Sequence, residues 1–208
     1  MRRHAIRQTL REHGIELVCH MTPFHKLPSI FGRGAILSSA ARRAARIADE
    51  PGGHYWGSAD KKEALKDFVV CSVQPPWSMC RNHDEEMAMV LLNAAEVCSM
   101  AGACFCPGNT AYSAFTATDI RAMNGPAALE QCLDPVAINF AEILVYERIP
   151  MDRYEVIAFC DDTARRYWSR RLRSVTRPGL GRSEGPDPVD DYLRFRFPPD
   201  WKPTRRIR

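Results

Sequence analysis

Four short apolar runs constrain the fold more than any other feature of this chain: IELVC (residues 15–19), FVVCSV (68–73), AEILVYERI (141–149) and YEVIAFC (154–160). Each carries β-branched residues and has the length of a strand. The runs stand at uneven intervals with helical and polar stretches between them, and no internal repeat appears. Parallel βαβ units would alternate more regularly. The pattern predicts an α+β fold with an antiparallel or split sheet. The chain has 208 residues, 45% of them hydrophobic, which is material for one domain with a real core. That domain is expected at residues 1–162, with a basic C-terminal arm at 163–208.

Helical spacing is weak over residues 3–12, which Gly14 closes. Thr22 offers an N-cap hydroxyl, and Phe24, Leu27, Ile30 and Phe31 share one helical face that ends at Gly32 and Gly34. Pro28 suits only a first turn, so this helix is expected to begin nearer Leu27 than Thr22. The Ala/Arg stretch after it predicts a short helix, and Pro51-Gly52-Gly53 a loop. HDEEMAMVLLNAAEVCS (83–99) predicts a helix, with acids in its first turn and Met87, Val90, Leu91, Ala94 and Cys98 at helical spacing. GACFCPGNTAYSAFTATDIRAM reads as irregular with an edge strand, followed by a short helix near Ala127 to Cys132. Beyond Asp162 the apolar periodicity stops.

The formal charge of +4 is unevenly spread: residues 1–160 hold 16 Lys/Arg against 18 Asp/Glu, and residues 161–208 hold 13 against 7. An Arg-rich arm suits a phosphate-bearing partner and serves equally well as a solubilising surface. The eight cysteines follow no disulfide framework and read as buried thiols of a reducing compartment. Cys104-Phe105-Cys106-Pro107 lacks a second Cys pair or a His at zinc-like spacing, so no metal is expected. No run reaches the roughly 20 apolar residues of a membrane span. The N-terminus MRRHAIRQTLREHG is too polar for a secretory signal, so the expectation is a cytoplasmic protein with no membrane partner.

Candidate chemistry is sparse. Glu142 stands at the start of an apolar strand, where a carboxylate is either a cleft residue that costs free energy to desolvate or an edge residue facing water. His20 ends another apolar run and is either a ligand contact or an imidazole satisfied by backbone. GGHYWGS (52–58) and QPPWSMC (74–80) offer aromatic faces for stacking on a flat ligand, or plugs for hydrophobic gaps.

The order of these segments resembles the DarT family of NAD-dependent nucleic-acid ADP-ribosyltransferases. His20-Met21-Thr22, LPSI and GAIL look like that family's opening, FVVCSVQPPWSM like its middle strand, and AEILV like its late strand. The resemblance covers residues 16–158 and implies an α+β, ADP-ribosyltransferase-like split antiparallel β-sheet core with flanking helices, and a mono-ADP-ribosyltransferase that uses NAD as a substrate. It makes Glu142 the catalytic carboxylate, holding the ribose hydroxyl and stabilising an oxocarbenium ion. His20, Met21 and Thr22, with Leu27, Ile30 and Leu37, fall on the cofactor side, joined by Tyr55. The family's loop arginine is not matched in HYWGSADKKEAL. Lys61 or Lys62, one of Arg42, Arg43 and Arg46, or Tyr55 is left to take that role, and a lysine would not reproduce a guanidinium fork. Family precedent implies a single-stranded DNA base as acceptor, with RNA as the variant. Trp77, Met79, Arg165 and Arg166 are the expected nucleic-acid contacts. A toxin or anti-phage effector with an antitoxin or immunity partner is implied in turn. An NAD glycohydrolase and a non-catalytic nucleic-acid-binding module are the rival readings.

Overall fold

In the computed structural model the described residues are 2–23, 26–47, 63–74, 87–110, 115–138, 140–150 and 154–159. Phe24, Tyr55, Lys61, Lys62, Trp77, Met79, and Arg165 and Arg166 with the rest of the arm lie outside them. Among the described residues eight strands form two sheets. β1 (Leu17–Pro23), β3 (Phe68–Ser72), β4 (Met87–Asn93), β5 (Cys104–Cys106), β6 (Glu142–Tyr146) and β8 (Tyr154–Phe159) make an antiparallel sheet in the order β5-β6-β3-β1-β4-β8. β2 (Ala35–Leu37) and β7 (Arg148–Pro150) pair separately.

The large sheet is split in the middle. β1 pairs with β4 over seven residues and β3 with β6 over five, but β1 and β3 share the single pair Cys19↔Ser72. Two three-stranded halves, β5-β6-β3 and β1-β4-β8, are thus joined at one point and open beside it. This is the split antiparallel architecture expected from the resemblance.

Packing explains where the expected elements changed. The run expected as a helix over 83–99 is strand β4 up to Asn93, and only α4 (Ala94–Cys98) is helical, started by the Asn93 side chain accepting from Glu96 N at 3.0 Å. β4 lies between β1 and β8, and Ala88 to Leu92 are all buried. A strand covered on both faces loses its apolar–polar alternation, so its periodicity no longer separates it from a buried helix.

AEILVYERI also divides. Glu147 has φ 60, a left-handed conformation that ends β6, and its two backbone groups bond Asp67 O and Ser38 N, each at 2.7 Å. The residues after it join β2 as β7. The edge strand expected near CFC is β5.

Helices cover the sheet. α1 (Arg2–Glu12) buries Ile6 and Leu10. α2 (Leu27–Arg33) begins where Pro28 requires, buries Leu27 and Phe31, and ends at Gly34, whose φ of 67 lets its N–H reach Ile30 O and Phe31 O. α3 (Ser39–Ala44) is the short Ala/Arg helix, capped by the Ser38 hydroxyl accepting from Ala41 N. α5 (Ala117–Ala122) falls in the stretch read as irregular. Its Thr116/Asp119 capping box is the local signal that specified it, and the same hydrogen bonds hold the Asp119 carboxyl below its usual range. α6 (Pro126–Leu133) is the expected helix near Ala127 to Cys132, one residue longer at each end.

The main core lies where α1, α2 and α6 meet the sheet at Val18, Val69, Cys71, Val90, Phe105 and Ile143. A smaller one forms around Phe68, Cys104, Cys106, Ile120 and Leu144. Among the described residues no helix is long and apolar enough to cross a membrane.

Candidate active site

The strand registers place Glu142 in one row with Cys19, the chain neighbour of His20. Cys106 is opposite Glu142, Glu142 opposite Ser72, Ser72 opposite Cys19, and Cys19 opposite Leu91, a continuous row across the sheet. Glu142 and Cys19 therefore stand two strand spacings apart, roughly 10 Å. His20 is the next residue, at the point where β1 and β3 separate.

His20 is half-buried, and its Nδ1 lies 2.9 Å from Val70 O on β3. A carbonyl can only accept, so Nδ1 carries the proton and, in the neutral ring, Nε2 keeps its lone pair. The imidazole thus bridges the opening between the two halves. Burial pushes its pKa down from 6.5 to about 4; the Val70 bond opposes this, and the charges of Arg42 and Lys26 add to it. The ring is neutral at physiological pH, under the charges of Lys26 at the start of α2 and Arg42 on α3.

Glu142 opens β6 and is half-buried. Its Oε2 accepts two hydrogen bonds from one residue, Thr110: the backbone N at 2.8 Å and Oγ1 at 2.5 Å. Thr110 is 2% exposed. Its role was not visible in the sequence, because a lone Thr in a Gly-Asn-Thr stretch carries no chemical pattern and its partner lies 32 residues on. The Glu142 charge is also felt by the thiols of Cys71 and Cys106. Burial raises Cys71 well above the usual thiol range and Cys106 to about 12, and Glu142 adds to both.

An open cleft of about 750 Å³ lies between the segments that lead to Thr110 and to Glu142. One wall is Pro107, Gly108 and Asn109, directly before Thr110; the other is Gln131, Val136 and Phe140, on the segment that leads into Glu142. Val136 is 84% exposed and Phe140 65%. Exposed apolar faces beside two amides are the ingredients of a site for a flat, polar-edged ligand.

Along the backbone Glu142 and His20 thus come within about two strand spacings of each other at the split, and the charge of Arg42 acts on His20. Of the three arginines weighed for the basic role, Arg42 is half-buried and electrostatically coupled to His20, while Arg43 and Arg46 are exposed. Met21 and Thr22 follow His20 on β1 and are buried. Ile30 and Leu37 are partly buried, on α2 and β2. Leu27, the first residue of α2, is buried in the main core.

No protein-family profile and no curated protein matches the sequence. Solved structures do match. Thermosipho africanus DarTG in complex with ADP-ribose aligns with a TM-score of 0.53 and 15% identity over 76% of this chain. The chain spans about half of that protein, 47% of its length. Thermus sp. 2.9 DarT aligns in complex with NAD+ (TM-score 0.50) and with ADP-ribosylated ssDNA (0.52), both at 16% identity over 79% of this chain, covering 93% and 92% of theirs. At such identities the similarity is one of backbone architecture: the chain has the fold of the DarT structures.

Proposed function

We propose that this protein is an NAD-dependent mono-ADP-ribosyltransferase whose acceptor is a base of single-stranded nucleic acid, DNA before RNA. The observation that carries the reading is the juxtaposition of Glu142 and His20 at the split of a sheet built like that of DarT structures holding NAD+. NAD lies in the opening, with Lys26 and Arg42 facing its pyrophosphate. Arg42 takes the basic role that the motif comparison left open between several residues. His20, neutral and with a lone pair on Nε2, accepts from a ribose hydroxyl. Met21, Thr22, Ile30 and Leu37 form the surrounding wall.

The chemistry asks little of the protein. The bond from the ribose anomeric carbon to nicotinamide breaks and its electron pair leaves with nicotinamide. Glu142 stabilises the positive charge that develops on the sugar, and the acceptor nitrogen or oxygen attacks the same carbon. The proton lost by the acceptor passes to the Glu142 carboxylate. The cleft between Asn109, Gln131 and Phe140 favours a base held on the segments that lead to Thr110 and Glu142, with Phe140 as the stacking face.

Trp77, Met79, Arg165 and Arg166 remain the further nucleic-acid contacts of this reading, and Tyr55 and Lys61 its additional loop contacts. The free thiols of Cys19, Cys71, Cys98, Cys104, Cys106 and Cys132 support a reducing, cytoplasmic setting. An enzyme that alters nucleic acid endangers its own cell, which favours a toxin or defence role with a neutralising partner.

The test is incubation with NAD and mixed single-stranded DNA and RNA, with mass spectrometry of the oligonucleotides. ADP-ribosylated DNA, lost in Glu142→Ala while oligonucleotide binding and folding persist, is the expected result. Free ADP-ribose with unmodified oligonucleotides would mean a glycohydrolase. Undiminished transfer by Glu142→Ala would remove this glutamate from the mechanism.

A further inference from the structure

We propose that Thr110 is a positioning residue for Glu142, fixing which way its carboxylate turns and keeping it charged. The inference rests on the transferase reading and adds a part of the machinery that the sequence motifs do not contain. Two donors of one residue converge on a single oxygen, Oε2, and Thr110 is buried, so water does not compete for the bonds. A glutamate side chain has three rotatable bonds. Anchoring one oxygen at two points removes most of that freedom before substrate arrives, which is the requirement for a carboxylate that stabilises charge only in the transition state.

The path of the chain explains why Thr110 can do this. Cys106, the last residue of β5, is directly opposite Glu142. Pro107 follows and has no N–H to continue the ladder. The chain turns through Pro107, Gly108 and Asn109, and the next residue meets the carboxylate.

The kind of partner matters as much as its position. Thr110 supplies hydrogen bonds and no charge, so it holds the carboxylate without an opposing cation of its own. The thiols of Cys71 on β3 and Cys106 on β5, on which the Glu142 charge acts, stay neutral because burial raises both. Pro107, Gly108 and Asn109 also wall the acceptor cleft, so a ligand there touches the segment that holds the catalytic group.

Thr110→Val removes the hydroxyl, keeps the backbone N–H and nearly preserves shape; Thr110→Ser restores the donor. With NAD and the oligonucleotide acceptor, Thr110→Val is expected to lower kcat by about 10- to 100-fold with little change in KM for NAD, and to move the acid limb of the pH profile up by roughly one unit. Thr110→Ser is expected to recover both. A wild-type kcat and acid limb in Thr110→Val, or a Ser variant as impaired as the Val variant, would overturn the proposal. In parallel, the Glu142 carboxyl is titrated by NMR on glutamate-labelled protein, its signal assigned by loss in Glu142→Gln. A titration midpoint that rises in Thr110→Val upholds the hold on the carboxylate, and one that does not rise overturns it, whether or not turnover is seen. Absence of NAD turnover in the wild type would instead defeat the transferase reading.

Discussion

Acidification should weaken the fold through His20 in a way that one substitution can isolate. The ring is held neutral across the split, with its pKa at about 4 against an ordinary value of 6.5. Above pH 6.5 the imidazole is neutral in both folded and unfolded chains and contributes no pH dependence. As pH falls below 6.5 the unfolded chain takes the proton first, so stability declines until pH reaches about 4, where the folded chain is protonated as well. The difference corresponds to about 3 kcal/mol, an upper bound because the ring is only half-buried. His20→Gln keeps a side-chain N–H donor and does not titrate. Urea unfolding of both proteins between pH 8 and pH 4 cancels the carboxylates they share. The wild-type stability should fall relative to the variant by up to about 3 kcal/mol, a midpoint change on the order of 1 M urea. Parallel curves across this window would refute the buried, neutral imidazole. A wild-type advantage that grows on acidification would show that the site favours the imidazolium.

Two further outcomes follow from the same geometry. Removing the Arg42 charge by Arg42→Ala should raise the His20 titration midpoint seen by NMR, whereas Arg43→Ala, at an exposed position, should leave it in place; under the proposed function only the first weakens NAD binding measured by calorimetry. Phe105→Ala should destabilise the domain by about 3–5 kcal/mol in chemical denaturation, because Phe105 is fully enclosed on the edge strand that sets the position of Cys106 and the Thr110 turn.

The strands β1, β3 and β8 were legible because their apolar runs are short, β-branched and bounded by turn or proline signals. β4 was not. Met87, Val90, Leu91, Ala94 and Cys98 fit a helical face as well as they fit a strand buried on both sides, and the choice belongs to the neighbours β1 and β8. The break at Glu147 was equally hidden, since a glutamate is an unusual residue for φ 60 and is held there by Asp67 and Ser38. At the site, Glu142 and His20 could be singled out as polar residues at the ends of apolar runs. Lys26 could not, having no distinctive neighbours in sequence. Arg42 was one of several candidates, and its burial on α3 separates it from Arg43 and Arg46.

The sequence by itself determined the class of fold and its two conspicuous polar residues, because strand propensity and a costly polar group in an apolar run are local properties. Only the tertiary structure decided that these residues share one seam. Glu142 and Cys19 fall in one row through the register of β3, which pairs with β6 on one side and, at one residue, with β1 on the other. Thr110 reaches Glu142 because β5 docks on β6 in the register that faces Cys106 to it. Register is a property of the assembled sheet, set by side-chain packing on its faces, and the order of residues along the chain does not encode it in any one place.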